Sequence, residues 1–90
     1  MRNAFDALAH PVRRKILSLL RSRPMSAGEI AEAFDISKPT LSGHFNILKE
    51  ADLITAERQG ATITYHLNMT VVEEAAEFLL KLAKSGEKRK

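Results

Sequence analysis

The sequence predicts a small, mainly α-helical domain with about five helices and a two-stranded β-hairpin, and it favours a homodimer. Apolar residues recur at helical spacing in five stretches of the 90-residue chain. Between residues 54 and 67 the pattern changes to alternation, which is typical of paired strands. The last helical stretch has an apolar arc too wide for one small core, which indicates a partner chain.

Composition limits the classes of function. Ninety residues with 44% hydrophobic content fit a single domain over residues 1–90. The absence of cysteine excludes disulfides, thiolate metal sites and cysteine catalysis. No apolar run approaches the roughly 18 to 20 residues that span a bilayer. We therefore expect no membrane insertion, and the default compartment is the cytoplasm.

The net charge of +3 comes from the C-terminal end. Residues 81–90 hold five basic residues and one acid, whereas residues 1–80 hold nine basic residues and ten acids. The basic end, residues 85–90, is expected to be disordered. Between residues 10 and 49 there are seven basic residues and three acids, so the middle of the chain is locally basic.

Two helices are predicted in the first part of the chain. Residues 1–9 are rich in alanine and fit two helical turns, and Pro11 fits the first turn of a second helix. Arg13 lies at the edge of that helix's apolar side, so we expect its guanidinium to pair with an internal acid or backbone carbonyls rather than with phosphate. Arg14 and Lys15 lie on the open side, where they face either phosphate or water.

The next two predicted helices are joined by a short turn. Ser26 and Glu29 form a capping box at the start of the third helix. Ser37 is a good N-cap for the fourth, and Pro39 is tolerated in its first turn. Two helices joined in this way form a helix-turn-helix.

The outer face of the fourth helix is small and hydrogen-bonding. Ser42 and Gly43 would let another surface approach closely, and Lys38 and Asn46 could donate hydrogen bonds to it. A helix in the DNA major groove needs these properties, although an ordinary amphipathic surface helix could share them. Thr40 and His44 lie on the flanks of this face. The candidate DNA-binding residues are Ser37, Lys38, Pro39, Thr40, Ser42, Gly43, His44 and Asn46.

Alternating segments on both sides of Arg58, Gln59 and Gly60 predict a β-hairpin with these residues at its tip. A hairpin directly after a recognition helix is the wing of a winged helix. Arg58 could reach phosphate or enter the adjacent minor groove, where the negative potential favours arginine.

The last predicted helix covers residues 70–84, with Thr70 as a plausible N-cap. Its apolar arc spans roughly 200°. We expect part of this arc to pack on a second copy of the chain, with the first helix alongside; the alternative is that it completes its own core. The candidate dimer-interface residues are Phe5, Leu8, Val72, Ala76, Leu79, Leu80 and Ala83.

With these motifs in hand, the sequence resembles the ArsR-type winged-helix repressors of bacteria and archaea. The resemblance covers roughly residues 3–83 and rests on residues 10–17, 26–31 and 37–54. It implies a homodimer, formed through the first and last helices, that binds double-stranded operator DNA and blocks transcription.

Two positions depart from the family pattern. His10 stands where the family usually has aspartate, and Asp52 stands where glycine is common. We expect both to be local capping or turn variations.

The resemblance also bears on ligands. Metal-sensing members carry either a Cys-x-Cys segment on the third helix or histidine-containing sites on the final helices, and this chain has neither. His10, His44 and His66 are expected to be structural, so we expect no metal, no cofactor and no enzymatic activity. The sequence resembles the short, metal-independent autorepressors, in which an unidentified protein or small molecule would release the DNA. A ligand sensor and a protein-interaction module of the same fold remain alternatives.

Overall fold

Residues 3–88, which the computed structural model describes, form five α-helices and three β-strands. In chain order these are α1 Ala4–Leu8, α2 Pro11–Ser22, β1 Met25–Ser26, α3 Ala27–Ala31, α4 Lys38–Glu50, β2 Ile54–Gln59, β3 Thr62–Leu67 and α5 Met69–Lys88. The prediction of a mainly α-helical winged helix-turn-helix is confirmed. Within the same residues, no helix is both long enough and apolar enough to cross a membrane.

The first two helices begin with side-chain caps. The amide side chain of Asn3 accepts a hydrogen bond from the Asp6 N–H (2.9 Å) at the start of α1. His10 is the N-cap of α2, where its Nδ1 accepts a hydrogen bond from the Val12 N–H (3.1 Å). His10 thus performs the capping role for which aspartate is usually suited, as expected.

The helix α4 is capped at both ends by the chain itself. The Ser37 hydroxyl accepts a hydrogen bond from the Thr40 N–H (3.3 Å) at the N-terminus. At the C-terminus the Leu53 N–H donates to the Leu48 carbonyl (3.1 Å) and the Asp52 N–H donates to the Lys49 carbonyl (3.0 Å), which is a Schellman motif.

Asp52 occupies the left-handed position of this motif, with φ of 60°. Glycine is preferred there because it has no Cβ to strain the backbone. The expectation that Asp52 is a turn variation is therefore confirmed. The Asp52 carbonyl also accepts a hydrogen bond from the Asn68 side chain (2.9 Å), which ties the end of α4 to the start of α5.

The sheet has three antiparallel strands in the order β1-β3-β2, one more than predicted. The strands β2 and β3 pair from Ile54 opposite Leu67 to Gln59 opposite Thr62, which leaves a two-residue loop at 60–61. Gly60 begins this loop with φ of 62°, the left-handed conformation that glycine adopts without strain.

The additional strand, β1, is only two residues long. Met25 pairs with Tyr65 and Ser26 pairs with Thr64. Two residues are too few to show the alternating pattern of a strand. This strand is stabilised by pairing with a distant part of the chain.

The core lies between the helices α2, α3 and α4 and the inner face of the sheet. The aromatic ring of Phe45 on α4 stacks on that of Tyr65 on β3, with ring centroids 4.5 Å apart. The largest fully buried side chains are those of Ile16, Ile30, Leu48, Leu53 and Ile54. Packing of α4 against both α2 and the hairpin fixes its inner face.

Three boundaries differ from the predictions. The helix α3 ends at Ala31, so the connection to α4 covers residues 32–37 and is longer than expected. The helix α5 begins at Met69, so Thr70 is not its N-cap and lies in its first turn. It continues to Lys88, so the start of the predicted disordered tail is helical; residues 89–90 of that tail lie outside the described residues.

Candidate nucleic-acid interface

The helix α4 carries most of the predicted DNA-binding residues on one accessible side. Leu41, Phe45 and Leu48 are buried and anchor the helix. His44 is half-buried on the flank. The remaining candidates are exposed: Ser37, Lys38, Pro39, Thr40, Ser42, Gly43 and Asn46.

The N-terminus of α4 has little backbone capacity left for an anion. Pro39 has no N–H, and the Thr40 N–H is already held by the Ser37 hydroxyl. The Ser37 hydroxyl in turn donates to Thr40 Oγ1 (2.9 Å), so the Thr40 O–H remains available as an outward donor. A phosphate at this end would therefore be held mainly by side chains, with the Lys38 amide as the one open backbone donor of the first three helical residues.

Gly43 has no packing role in this chain. A Cβ added at this position would have no atom within 4 Å. Glycine inside a helix is less favourable than alanine by roughly 0.5–1 kcal/mol, so the fold alone would favour a larger residue. The small size of Gly43 is consistent with close approach of another molecule to α4.

The hairpin tip and the start of α4 are connected by a surface that the sequence did not indicate. A cavity of about 170 Å³ is bordered by Ala27 and Gly28 at the start of α3 and by Lys38 and Ser42 on α4. A second cavity, of about 310 Å³, lies between the same start of α3 and residues 61–63 of the hairpin. The α3 N-terminus thus adjoins both predicted DNA-binding elements.

Ala27 and Gly28 were absent from the predicted site. Gly28 is exposed, and a Cβ added there would meet only the Ser26 Oγ at 3.9 Å. The sequence signal that could have identified them is a pair of small residues in the first turn of α3, immediately after its N-cap Ser26.

The predicted wing residues Arg58, Gln59 and Gly60 are exposed. Arg58 lies within β2, opposite Ile63, so it flanks the tip loop instead of forming part of it. Neither Arg58 nor Lys38 makes a side-chain hydrogen bond or ion pair with any residue that the structure describes. Both cationic side chains are therefore available to an external anion.

Three of the four basic residues of α2 make contacts within the chain. Arg13 donates to two backbone carbonyls of α1, as expected, and its guanidinium also contacts His44. Arg14 donates to the Leu8 carbonyl (2.7 Å). Lys15 donates to the Ala33 carbonyl (3.0 Å) and lies over the ring of Phe34. These contacts hold α2 against its neighbours.

The three histidines have structural partners. His10 caps α2, and His66 lies 3.2 Å from a carboxylate oxygen of Glu57 on the neighbouring strand. The ring of His44 lies 4.5 Å from that of His10. Partial burial lowers the pKa of His44 below its ordinary value, and the nearby His10 and Arg13 lower it further. Among the described residues, no three metal-ligating side chains are placed to hold a metal ion.

The helix α5 exposes a large apolar surface. Phe78 is 52% exposed and Leu80 is 61% exposed, whereas Ala75 is the buried residue of this helix among those with described side chains. The ring of Phe5 on α1 contacts that of Phe78, with centroids 5.6 Å apart. We call the outward side of α1 and α5 the apolar face. It contains the candidate interface residues, of which Leu8 and Val72 are half-buried and the other five are exposed: Phe5, Leu8, Val72, Ala76, Leu79, Leu80 and Ala83.

A cleft of about 340 Å³ separates α2 from α5 and is continuous with the apolar face. Its walls are mostly apolar and include Leu17, Val72 and Leu79. Arg14 and Arg21 lie on its α2 side.

Comparisons with known proteins agree with this geometry. Residues 8–57 match the family profile of a helix-turn-helix domain. The chain is 47% identical over 87 residues to the transcriptional repressor SdpR of Bacillus subtilis, and the match covers 97% of each chain. The fold is similar to the crystal structure of an ArsR family transcriptional regulator, with a TM-score of 0.85, 28% identity and coverage of 94% of this chain and 93% of that chain. It is also similar to HlyU of Vibrio cholerae, with a TM-score of 0.73, 29% identity and coverage of 87% and 85%.

The match to SdpR extends over the wing and both terminal helices as well as the helix-turn-helix. The chain therefore belongs to the ArsR family of winged helix-turn-helix DNA-binding transcriptional regulators, in the SdpR-like subgroup.

Proposed function

We propose that this protein is a cytoplasmic repressor or autorepressor that binds an inverted-repeat operator as a homodimer, without a bound metal and without enzymatic activity. The observation that carries the proposal is the outer face of α4. It is exposed and small, it carries a Lys38 that has no ion pair with any described residue, and it contains a glycine that the fold does not require.

Each subunit would insert α4 into a major groove, and two-fold symmetry would place the two helices about one helical turn, roughly 34 Å, apart. Lys38 would donate to guanine O6 and N7, and Asn46 would contact a base edge or a phosphate. Ser42 and Gly43 would allow close approach to base edges and thymine methyl groups.

The wing would supply contacts beside the major groove. Arg58 is unpaired among the described residues, so it can approach a phosphate or the adjacent minor groove without breaking an internal contact. Ala27 and Gly28, between the wing tip and α4, would face the same duplex. The apolar face of α1 and α5 would form the dimer interface, because apolar side chains exposed at this level favour burial against a partner.

The test compares binding of the purified protein to the DNA upstream of its own gene with binding to a scrambled duplex of equal length, across a salt series. We expect preference for the upstream DNA to persist as salt rises, because base contacts do not depend on counterion release. Equal binding to both duplexes that disappears with salt would contradict autorepression and favour a distant operator or a protein-interaction module.

A small-molecule release signal is supported by the cleft between α2 and α5, because cavities of this size and apolar character are typical of ligand sites. A thermal-shift screen with metabolites and metal ions, run with and without operator DNA, would test it. A compound that stabilises the free protein and weakens its binding to DNA would identify a sensor.

A further inference from the structure

The side chain of Arg13 joins three helices. From its position on α2, its Nε donates to the carbonyl oxygen of Ala7 (2.7 Å) and its Nη2 donates to that of Asp6 (3.3 Å), both in α1. Its Nη1 lies 3.2 Å from Nδ1 of His44 on α4. One guanidinium therefore contacts both a helix of the apolar face and the helix of the DNA-binding face.

The chemistry of these contacts makes the connection rigid. The last carbonyls of a helix lack the usual intrahelical partners. Arg13 supplies a donor to the Ala7 carbonyl and a second donor to the Asp6 carbonyl, which already accepts a hydrogen bond from the Ala9 N–H (3.2 Å). A guanidinium is planar and always charged, so contacts made by its different nitrogens fix its orientation. Because arginine has no acceptor, Nδ1 of His44 accepts the hydrogen bond and the ring is neutral, with its proton on Nε2.

We propose that Arg13 is a positioning residue that sets the placement of α4 relative to α1, and thereby the spacing between operator half-sites that the dimer accepts. This inference depends on the proposed function, in which α1 belongs to the dimer interface and α4 binds DNA. In such a dimer one path from one recognition helix to the other passes through α1 of each subunit, which contacts both α4 and α5. A change in the joint between α1 and α4 therefore changes the separation and angle of the two recognition helices.

The neighbouring residue provides a matched control. Arg14 also lies on α2 and also donates to a carbonyl of α1, that of Leu8 (2.7 Å), but none of its hydrogen bonds in the described part of the chain reaches α4. Loss of Arg14 weakens the link between α2 and α1, whereas loss of Arg13 also removes the hydrogen bond to His44 on α4. His44→Phe removes the acceptor for Arg13, keeps an aromatic ring beside His10, and leaves the bonds from Arg13 to α1 in place.

The experiment measures binding of the full chain to a series of duplexes. A half-site is first selected from a random DNA library with the wild-type protein, and is then placed as inverted repeats at the best spacing and at one or two base pairs more or less. Each added base pair separates the half-sites by about 3.4 Å and rotates them by about 34°. The proteins are wild type, Arg13→Lys, His44→Phe and Arg14→Ala.

We expect wild type and Arg14→Ala to discriminate the best spacing from its neighbours by about tenfold or more, which corresponds to about 1.4 kcal/mol. We expect Arg13→Lys and His44→Phe to discriminate by less than about threefold, because their recognition helices are held less rigidly. Lysine keeps the charge but has a single ammonium, which cannot hold three acceptors in one plane. The readout is a ratio of dissociation constants on related duplexes, so a general loss of folded protein does not change it.

Two outcomes would overturn the inference and leave the proposed function standing, and a third would overturn both. If wild type prefers one spacing sharply and Arg13→Lys and His44→Phe keep that preference, Arg13 does not set the geometry. If Arg14→Ala loses the preference to the same extent, general loosening of α2 explains the effect. A wild-type protein with no spacing preference would overturn the proposed dimeric function together with this inference. The behaviour of the wild type therefore distinguishes failure of the proposed function from failure of this inference alone. Should Arg13→Lys fold poorly, His44→Phe carries the test, because it retains the bonds from Arg13 to α1.

Discussion

The helices α4 and α5 have similar amphipathic patterns but differ in how much of the apolar side is buried within the subunit. The apolar stripe of α4 is buried within its own subunit, and its exposed side presents small and polar groups. The apolar arc of α5 is only partly covered, with Val71 and Val72 half-buried and Leu79 and Leu82 more than half-exposed. Burial of apolar area is favourable by roughly 25 cal/mol per Å², so α5 gains stability from a partner that covers it, and α4 does not.

The difference shows how exposure identifies the kind of partner. Exposed leucines indicate another apolar protein surface. An exposed glycine without a packing role, on the same helix as a lysine that has no ion pair among the described residues, indicates a polar, closely approaching surface such as a DNA groove. Four predictions test this distinction, in order of decreasing expected effect.

The largest effect is expected at the apolar face. Leu79→Glu should dissociate the dimer while leaving the monomer folded, because Leu79 is 51% exposed in the single subunit. Each copy would lose about half of the roughly 1.5–3 kcal/mol that full burial of a leucine gives, because the other half is already buried in the subunit. A two-fold interface counts the loss twice, so the dimer dissociation constant should rise by about one to two powers of ten. Sedimentation equilibrium with circular dichroism would measure both properties.

The matched control for this change is Lys81→Glu, which places the same side chain on the polar arc of α5. It should leave the oligomeric state as in wild type. A dimer that survives Leu79→Glu, or one that Lys81→Glu disrupts equally, would exclude the apolar face as the interface.

On the outer side of α4, which we propose binds DNA, Lys38→Ala should relax base preference at one position in each half-site, with a loss of about 1–3 kcal/mol of discrimination. Arg58→Ala should instead weaken binding to all sequences and lower the slope of affinity against salt by about one. Competition binding with single-base operator variants, repeated across salt concentrations, separates the two. Equal losses from both variants without any change in preference would contradict the assignment of Lys38 to base contact.

Gly43→Ala should separate stability from binding. The added methyl group meets no protein atom, so the variant should gain about 0.5–1 kcal/mol in free energy of unfolding and lose affinity for operator DNA. Urea unfolding and DNA titration give the two quantities. A variant that is more stable and binds with wild-type affinity would show that no close approach occurs at this position.

The smallest effect is expected from pH. Burial lowers the pKa of His44 in the folded state, so between that pKa and the ordinary value of 6.5 the unfolded chain binds more protons than the folded chain. The contribution of His44 to stability is therefore present above about pH 6.5 and is lost as the pH falls below it. Urea unfolding at several pH values should show this decrease for wild type and a weaker one for His44→Phe. Identical slopes would mean that His44 does not contribute.

Features set by local chemistry were predictable from the sequence. The Ser37 and Ser26 caps, the inner stripe of α4 and the alternation of the hairpin all depend on residues within one or two turns of each other, and the structure has them where expected. It was also predictable that Arg13 pairs within the chain, because a cation at the edge of an apolar stripe needs acceptors nearby.

Features set by distant parts of the chain were not predictable. The strand β1 forms because Met25 pairs with Tyr65, forty residues further along the chain. The sequence of the two-residue segment does not predict this strand. The contact between Arg13 and His44 also depends on how α2 and α4 pack. The same holds for Ala27 and Gly28, which join the candidate site only because α3 lies between α4 and the hairpin tip.

Under the proposed function, the two caps of α4 also bear on the thermodynamics of DNA binding. Ser37 at one end and the turn at Asp52 and Leu53 at the other hold the helix in its final conformation before any DNA is present. DNA binding then orders few backbone dihedrals of α4. A segment that folds on the duplex loses its conformational entropy during binding, whereas α4 has already lost it when the protein folds. Calorimetry should accordingly find a modest negative heat-capacity change that scales with the contact surface alone, smaller in magnitude than the change that accompanies coupled folding and binding.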